Sequence, residues 1–220
     1  MANKPVVHGL YAITPDIADT GKLCVLVEHY IAGGASTIQY RSKRADAKLK
    51  IIQSSALLEI CRRHHVPLII NDYVNLCLTV DADGVHVGAT DGHIDEIRAR
   101  LGQDKILGVS CYNNLSQALD AQNKGADYVA FGACFPSKTK PDAPRAELSL
   151  FIKARETLQV PTVGIGGVTL KNAPKLINAG AHAIAVISAL YKSANTQATA
   201  KEFTNLFKKS TYDLTQSATI

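Results

Sequence analysis

Arg41 and Lys43 stand two residues apart just beyond a short apolar run, so on an extended segment they share one face and present two cations together. Asp72 and Asp91 each close or follow another apolar run, and a basic, hydroxyl-rich segment, Ser137-Lys138-Thr139-Lys140, follows a third. Cations gathered beside two carboxylates suit a polyanion held partly by the cations and partly by a bridging Mg²⁺, which prefers hard oxygen ligands and keeps several waters. The turn Gly164-Ile165-Gly166-Gly167 and, one unit later, Ile187-Ser188 offer what a phosphate needs: backbone amides that an anion can approach closely and a hydroxyl at a strand end. Each feature also has a plainer reading. Asp72 taken alone, directly after a strand and before a helical stretch, reads as a helix N-cap rather than a ligand, Asp91 before Gly92 as a turn residue, and Arg41, Lys43 and the 137–140 segment as solvated loop. His86 stands alone between Val85 and Val87 with no Cys or His at ligand spacing, which argues for a core or rim histidine and against zinc. Only the joint placement of these groups at strand ends lifts the polyanion reading above the plain one.

The elements that would position them alternate along the whole chain. Strands are expected at Gly9-Ile13, Ala35-Tyr40, Pro67-Asn71, Gly84-Val87, Ile106-Ser110, Tyr128-Phe131, Thr162-Ile165 and Ala183-Ile187, each too short for a helix and several rich in Val and Ile. Helical patterns lie between them, near Lys22-Ala32, Ala47-His64, Val74-Val80, Ile94-Leu101, Leu115-Asn123, Leu148-Thr157 and Leu170-Asn178, with a last one near Thr196-Lys209. About eight βα units favour a (β/α)8 TIM barrel with a phosphate site after strands seven and eight. An open doubly wound sheet is the competing α/β architecture. Gly34-Ala35, Gly125-Ala126 and Gly180-Ala181 each close a helical stretch before an apolar run, a weak repeat that fits one domain over residues 1–210, followed by a polar, loose tail at 211–220. In such a barrel, loops after the strands build the active site, and the polar groups named above fall there.

The bulk composition agrees. With 46% hydrophobic and 20% charged residues in 220, the chain is ordinary for a globular protein, and no apolar run approaches a membrane span. Met1-Pro5 leads into the first strand without a signal-peptide pattern, so a cytoplasmic location is expected. The net charge of +5 comes from interleaved charges without a long basic block, which argues against nucleic acid and suits small anionic substrates. Five scattered cysteines without a C-x-x-C pair read as reduced packing residues.

Taken in order, Gln39-x-Arg41-x-Lys43, Asn71-Asp72, Gly84-Val85-His86-Val87-Gly88 with Asp91, Gly108-Val109-Ser110, Ser137-x-Thr139-Lys140, Gly164-Ile165-Gly166-Gly167 and Val186-Ile187-Ser188 resemble the thiamine-phosphate synthase family from the first strand to the eighth. The resemblance implies that Gln39, Arg41, Lys43 and Asn71 contact a pyrimidine diphosphate, with His86 near the pyrimidine, and that Asp72 and Asp91 hold Mg²⁺ against the diphosphate. It implies further that Ser110 and Lys140 touch the diphosphate, with Arg41, Lys43, Lys140 and Ser110 the groups that promote reaction. Ser137, Thr139, Gly167, Ile187 and Ser188 would receive a thiazole phosphate. Two departures bear on fine substrate preference: Ala89-Thr90 stands where the family often has Gln-Glu, and Tyr73 follows Asn71-Asp72 where Asp or Arg is common. The alternative is a thiazole tautomerase-like isomerase of the same superfamily, but such relatives use a histidine in the fifth-strand region, where this chain has Ser110-Cys111-Tyr112. The expected partners are the two small substrates; a homo-oligomer is compatible with the sequence, which leaves the oligomeric state open.

Overall fold

The structure, a computed structural model, describes residues 4–88, 91–136 and 145–216, with side chains through Lys208. Eight parallel strands close on themselves in chain order: β1 (Gly9–Ile13), β2 (Thr37–Tyr40), β3 (Leu68–Asn71), β4 (Gly84–Val87), β5 (Ile106–Tyr112), β6 (Tyr128–Phe131), β7 (Thr162–Ile165) and β8 (Ala183–Val186). Pairing of β1 with both β2 and β8 completes the ring and excludes the open doubly wound sheet. The helices are α1 (Thr20–Ala32), α2 (Ala47–Arg63), α3 (Val74–Val80), α4 (Ile94–Leu101), α5 (Leu115–Asn123), α6 (Leu148–Thr157), α7 (Ala173–Asn178), α8 (Ser188–Tyr191) and α9 (Thr196–Gln216). No described helix is long and apolar enough to cross a membrane.

Period-two alternation in each strand divides the core into two parts. Side chains such as Tyr11, Ile13, Ile69, Ile106, Tyr128 and Val163 fill the barrel interior. Their neighbours face outward against the helices, where Phe131 of β6 meets Phe151 of α6 edge to face at 5.5 Å between ring centroids. Each fully buried aromatic or aliphatic side chain of this kind stabilises the fold by about 1.5–3 kcal/mol.

Local signals set the helix ends. Asp19 and Asp46 cap α1 and α2 by accepting from the backbone of Lys22 and Leu49, at 3.0 and 2.7 Å. The Gly-Ala repeat marks three helix C-termini: Gly34, Gly125 and Gly180 have φ of 94°, 89° and 101°. The alanine after each donates to a carbonyl five residues back, Ala35 to Tyr30, Ala126 to Ala121 and Ala181 to Leu176. That is the Schellman closure, which turns the chain sharply into the next strand.

β2 begins at Thr37 rather than Ala35 and α1 at Thr20 rather than Lys22, β3, β8 and α2 differ by one residue at one end, and four further departures have visible causes. The fifth strand runs two residues longer, to Tyr112, because the β5–β6 register shifts between Ser110 and Tyr112. α7 starts at Ala173 rather than Leu170, since Thr169 to Asn172 form a turn in which Asn172 and Ala173 both donate to the Thr169 carbonyl. The four-residue α8 is too short for a periodic signal in the sequence. α9 continues to Gln216, into the segment read as a polar tail; residues 217–220 lie outside the described part.

Candidate active site

The loops after the strands gather the candidate residues at the C-terminal end of the barrel. Arg41 and Lys43 follow β2, and the loop after β1 holds them: the Arg41 amide donates to Thr14 Oγ1 at 2.9 Å and the Lys43 amide to Asp16 Oδ1 at 2.6 Å. The other Asp16 oxygen lies 3.8 Å from the Arg41 guanidinium. Thr14 and Asp16 were not legible as site residues, because their partners lie 27 positions away in the chain.

Asp72 follows β3 and Asp91 follows β4. The cap of α3 is Tyr73 and makes no side-chain bond, so the N-cap reading of Asp72 fails. Asp72 instead takes a left-handed backbone, φ 65°, while its amide donates to the His86 carbonyl at 2.8 Å. A non-glycine residue in that region costs about 1–3 kcal/mol and persists only where its surroundings impose it. The turn reading of Asp91 is correct: its Oδ2 accepts from the Gly88 amide at 2.6 Å. That bond fixes Asp91 close to Asp72. Burial first, and then the charge of Asp91, hold the Asp72 carboxyl above the ordinary carboxylate range, while Lys43 and then Arg41 pull it back. Two anions and two cations thus share one field at the rim between β2 and β4. A cavity of about 560 Å³ beside α2 and α3 is lined by both carboxylates together with Lys50, Tyr73 and Arg100. Lys50 Nζ sits 4.0 Å from the centre of the Tyr73 ring, so the departure at position 73 supplies a cation–π partner on that wall.

Deeper in the barrel, Asn71 pairs with His86 across β3 and β4, two residues beyond the inward-facing Ile69. Five buried or partly buried side chains from five strands form a continuous chain of hydrogen bonds. Gln39 Nε2 donates to Tyr11 Oη at 2.9 Å, Tyr11 and Tyr128 share a hydroxyl contact of 2.7 Å, Tyr128 Oη lies 3.0 Å from His86 Nδ1, and His86 Nε2 lies 2.9 Å from Ser110 Oγ. His86 stacks on the Tyr128 ring, with 5.5 Å between centroids. The room for that ring comes from Gly108, its ladder partner on β5, where a Cβ would stand 2.0 Å from the ring. Neither tyrosine was foreseen, since each lies in an apolar strand and reads as core.

Burial pushes the His86 imidazole down from 6.5 to about 4, with the Asp91 charge opposing, so the ring is neutral at neutral pH. The unfolded chain binds the proton that the folded chain refuses, so stability is full above about pH 6.5 and is lost as pH falls toward about 4, by about 3 kcal/mol. Urea unfolding across that window measures the slope, and His86→Gln should flatten most of it. His182, which burial shifts in the same direction, adds to this slope, and Asp72, raised above the ordinary carboxylate range, opposes it at the acid end.

At the opposite wall, Gly166 and Gly167 follow β7 with φ of 96° and 64°, and Ile187 leads from β8 into α8, which begins at Ser188. Asn172 Nδ2 donates to the Gly167 carbonyl at 2.9 Å and fixes the turn. Loops after the last two strands with a short extra helix match the recurrent phosphate site of these barrels. A Cβ at Gly167 would stand 2.6 Å from the carbonyls of Phe135 and Pro136, so this glycine admits the loop after β6 rather than only clearing space for an anion. Ser137, Thr139 and Lys140, on the continuation of that loop, lie outside the described residues. Among the described residues no group of three or more His, Cys, Asp or Glu is poised around one point, so any cation at Asp72 and Asp91 would draw its other ligands from substrate and water. Burial raises the Cys61, Cys77, Cys111 and Cys134 thiols to about 12, which keeps them protonated and unreactive at neutral pH.

Comparison with known proteins bears on the family and the fold. The sequence profile described as thiamine monophosphate synthase matches residues 10–190. A thiamine-phosphate synthase of Methylobacillus flagellatus is 57% identical over 203 residues, 92% of this chain and 97% of that protein. One from Nitrosomonas eutropha is 48% identical over 201 residues, 91% of this chain and 95% of the relative. Among solved structures, thiamine phosphate pyrophosphorylase from Pyrococcus furiosus superposes with a TM-score of 0.81 at 31% identity, covering 91% of this chain and 96% of that one. A 3-hexulose-6-phosphate synthase, at 19% identity and a TM-score of 0.66, shares the fold alone. Matched by that profile over most of its length and by a relative at 57% identity, this chain belongs to the thiamine monophosphate synthase family of transferases.

Proposed function

We propose that the chain condenses 4-amino-2-methyl-5-hydroxymethylpyrimidine diphosphate with thiazole phosphate, giving thiamine phosphate and pyrophosphate, in the cytoplasm. The observation that carries this reading is the shared field of Arg41, Lys43, Asp72 and Asp91, a set that a polyanion and a hard cation would together neutralise. The bond from the pyrimidine methylene carbon to the diphosphate oxygen breaks with its electron pair going to the diphosphate. The electron-rich pyrimidine stabilises the cation left behind, and the thiazole nitrogen supplies the pair for the new C–N bond. No strong base is needed at the reacting carbon, in keeping with a neutral His86 and with the lack of any Ser/His/Asp or Cys/His signature.

Asp72 and Asp91 would hold Mg²⁺, which would neutralise charge on the departing pyrophosphate. Arg41 and Lys43, fixed by Thr14 and Asp16, face the same oxygens and act most strongly as their charge grows. Gln39, Asn71 and His86 would contact the pyrimidine, and Ser110 with Lys140 would contact the diphosphate. Gly167, Ile187 and Ser188, with Ser137 and Thr139, would take the thiazole phosphate. Holding both substrates in line supplies much of the acceleration.

The test is pyrophosphate release from both substrates with Mg²⁺, run beside an assay for thiazole isomerisation. Wild type should release pyrophosphate. Arg41→Lys should lower kcat by about tenfold or more, because a point charge cannot replace a planar two-pronged donor. Lys140→Ala should likewise depress kcat more than substrate binding. Isomerisation without pyrophosphate release would overturn the synthase reading in favour of a tautomerase, leaving the barrel and its phosphate site standing.

A further inference from the structure

Gln39, Tyr11, Tyr128, His86 and Ser110 come from β2, β1, β6, β4 and β5, and their hydrogen bonds cross the barrel from one side of the mouth to the other. A chain of hydroxyls can run in either sense, but its ends decide which. The Gln39 amide nitrogen, a donor only, faces Tyr11. Tyr11 therefore accepts there and has Tyr128 as its acceptor. Tyr128 in turn has His86 Nδ1, which must then be bare. A neutral imidazole bare at Nδ1 carries its proton on Nε2, and that proton goes to Ser110 Oγ. The Ser110 hydroxyl hydrogen then has no acceptor within this chain of hydrogen bonds and is free for a group outside it. Run the other way, the chain would leave the Tyr11 proton pointing at an NH₂ group inside a closed core, an unsatisfied donor of the kind interiors avoid.

We propose that Tyr11 and Tyr128, which lie below the mouth and touch no substrate, are positioning residues that hold His86 as its Nε2–H tautomer and thereby turn the Ser110 hydroxyl hydrogen outward as a donor to the bound substrate. At the other end of the chain, Gln39 keeps Oε1 and its second Nε2 hydrogen outside these bonds. Tyr128 is fully buried and Tyr11 is 1% exposed, so neither hydroxyl can turn to water for an alternative partner. Gly108 leaves the Tyr128 ring its place over His86, which holds the hydroxyl on the ring nitrogen. The identity of the substrate rests on the function proposed above; the tautomer and the polarity do not.

The experiment reads both parts separately. Nitrogen-15 NMR of the seven histidines in the free protein at neutral pH, with His86→Gln to identify the resonances, should show His86 protonated at Nε2 and bare at Nδ1. A proton on Nδ1, or on both nitrogens, overturns the proposal without any variant being needed. Tyr128→Phe keeps the ring and removes the link. It should mix the two tautomers and lower kcat for pyrophosphate release by about tenfold, the size expected of one misdirected hydrogen bond, while KM for thiazole phosphate stays unchanged. Tyr11→Phe removes the group that sets the sense of the Tyr128 hydroxyl, which can then accept from Nδ1 as well as donate to it, so this variant should shift both the His86 tautomer and kcat in the same direction as Tyr128→Phe. A Tyr128→Phe protein with unaltered tautomer and kcat within about twofold of wild type would reduce the tyrosines to space-filling. If wild type released no pyrophosphate at all, the synthase reading would fall while the tautomer result would still decide the relay.

Discussion

Replacing either Asp72 or Asp91 by alanine is expected to lower turnover by about a hundredfold or more, since a bridging cation that neutralises a leaving pyrophosphate contributes several kcal/mol to the transition state. The double variant should be little worse than either single one, because two ligands of one ion act as a unit. Stability supplies a second readout that needs no substrate. Without a cation, Asp72 carries a partly buried charge facing Asp91, and both burial and that repulsion raise its carboxyl. Asp72→Asn removes the repulsion, so in excess chelator the variant should unfold at the same temperature as wild type or higher. Saturating Mg²⁺ should reverse the order, since an ion that binds only the folded wild type stabilises it by about 2.7 kcal/mol at a hundred times its Kd. Thermal unfolding of both proteins with and without Mg²⁺ tests this. Full activity of wild type in excess chelator would sink the metal reading.

The fold was legible because its signals are local. Strand starts marked by Gly-Ala depend on residues within five positions of each other, and β1, β4, β6 and β7 have the bounds their apolar runs predict. The rim residues were legible for a related reason: a polar cluster directly after an apolar run needs only the barrel to become a mouth. What stayed hidden depends on contacts distant in sequence. Tyr11 and Tyr128 are 117 positions apart and become partners only when the barrel closes. Asp16 acquires its role from a loop 27 positions on. The cap reading of Asp72 was reasonable by position and fails because its backbone turns left-handed, a choice imposed by the neighbouring strand through the His86 carbonyl.

Gly167→Val tests the other half of the mouth, and the structure changes the expected result. If the glycine served only to let an anion reach backbone amides, the variant would raise KM for thiazole phosphate and leave the pyrimidine substrate alone. A Cβ at this position instead meets the carbonyls of Phe135 and Pro136. That backbone is tied to the same turn, with the Cys134 amide donating to Ile165 at 2.9 Å and the Phe135 amide to Gly166 at 3.0 Å. Displacing it shifts the root of the segment that carries Ser137, Thr139 and Lys140 in sequence. Both substrates should therefore suffer, with KM for thiazole phosphate rising by about a hundredfold and kcat falling with it, as a misplacement of about 1 Å can bring about. Backbone strain and steric clash can be separated at this position. Asparagine tolerates a left-handed backbone better than alanine does, so if the φ of 64° were the whole requirement, Gly167→Asn would recover most of the activity that Gly167→Ala loses. If close approach of the loop is what matters, the two variants should be equally impaired, since both carry a Cβ. Steady-state kinetics for both substrates on the three variants decides between these, and an effect confined to the pyrimidine substrate would show that the two halves of the mouth are assigned the wrong way round.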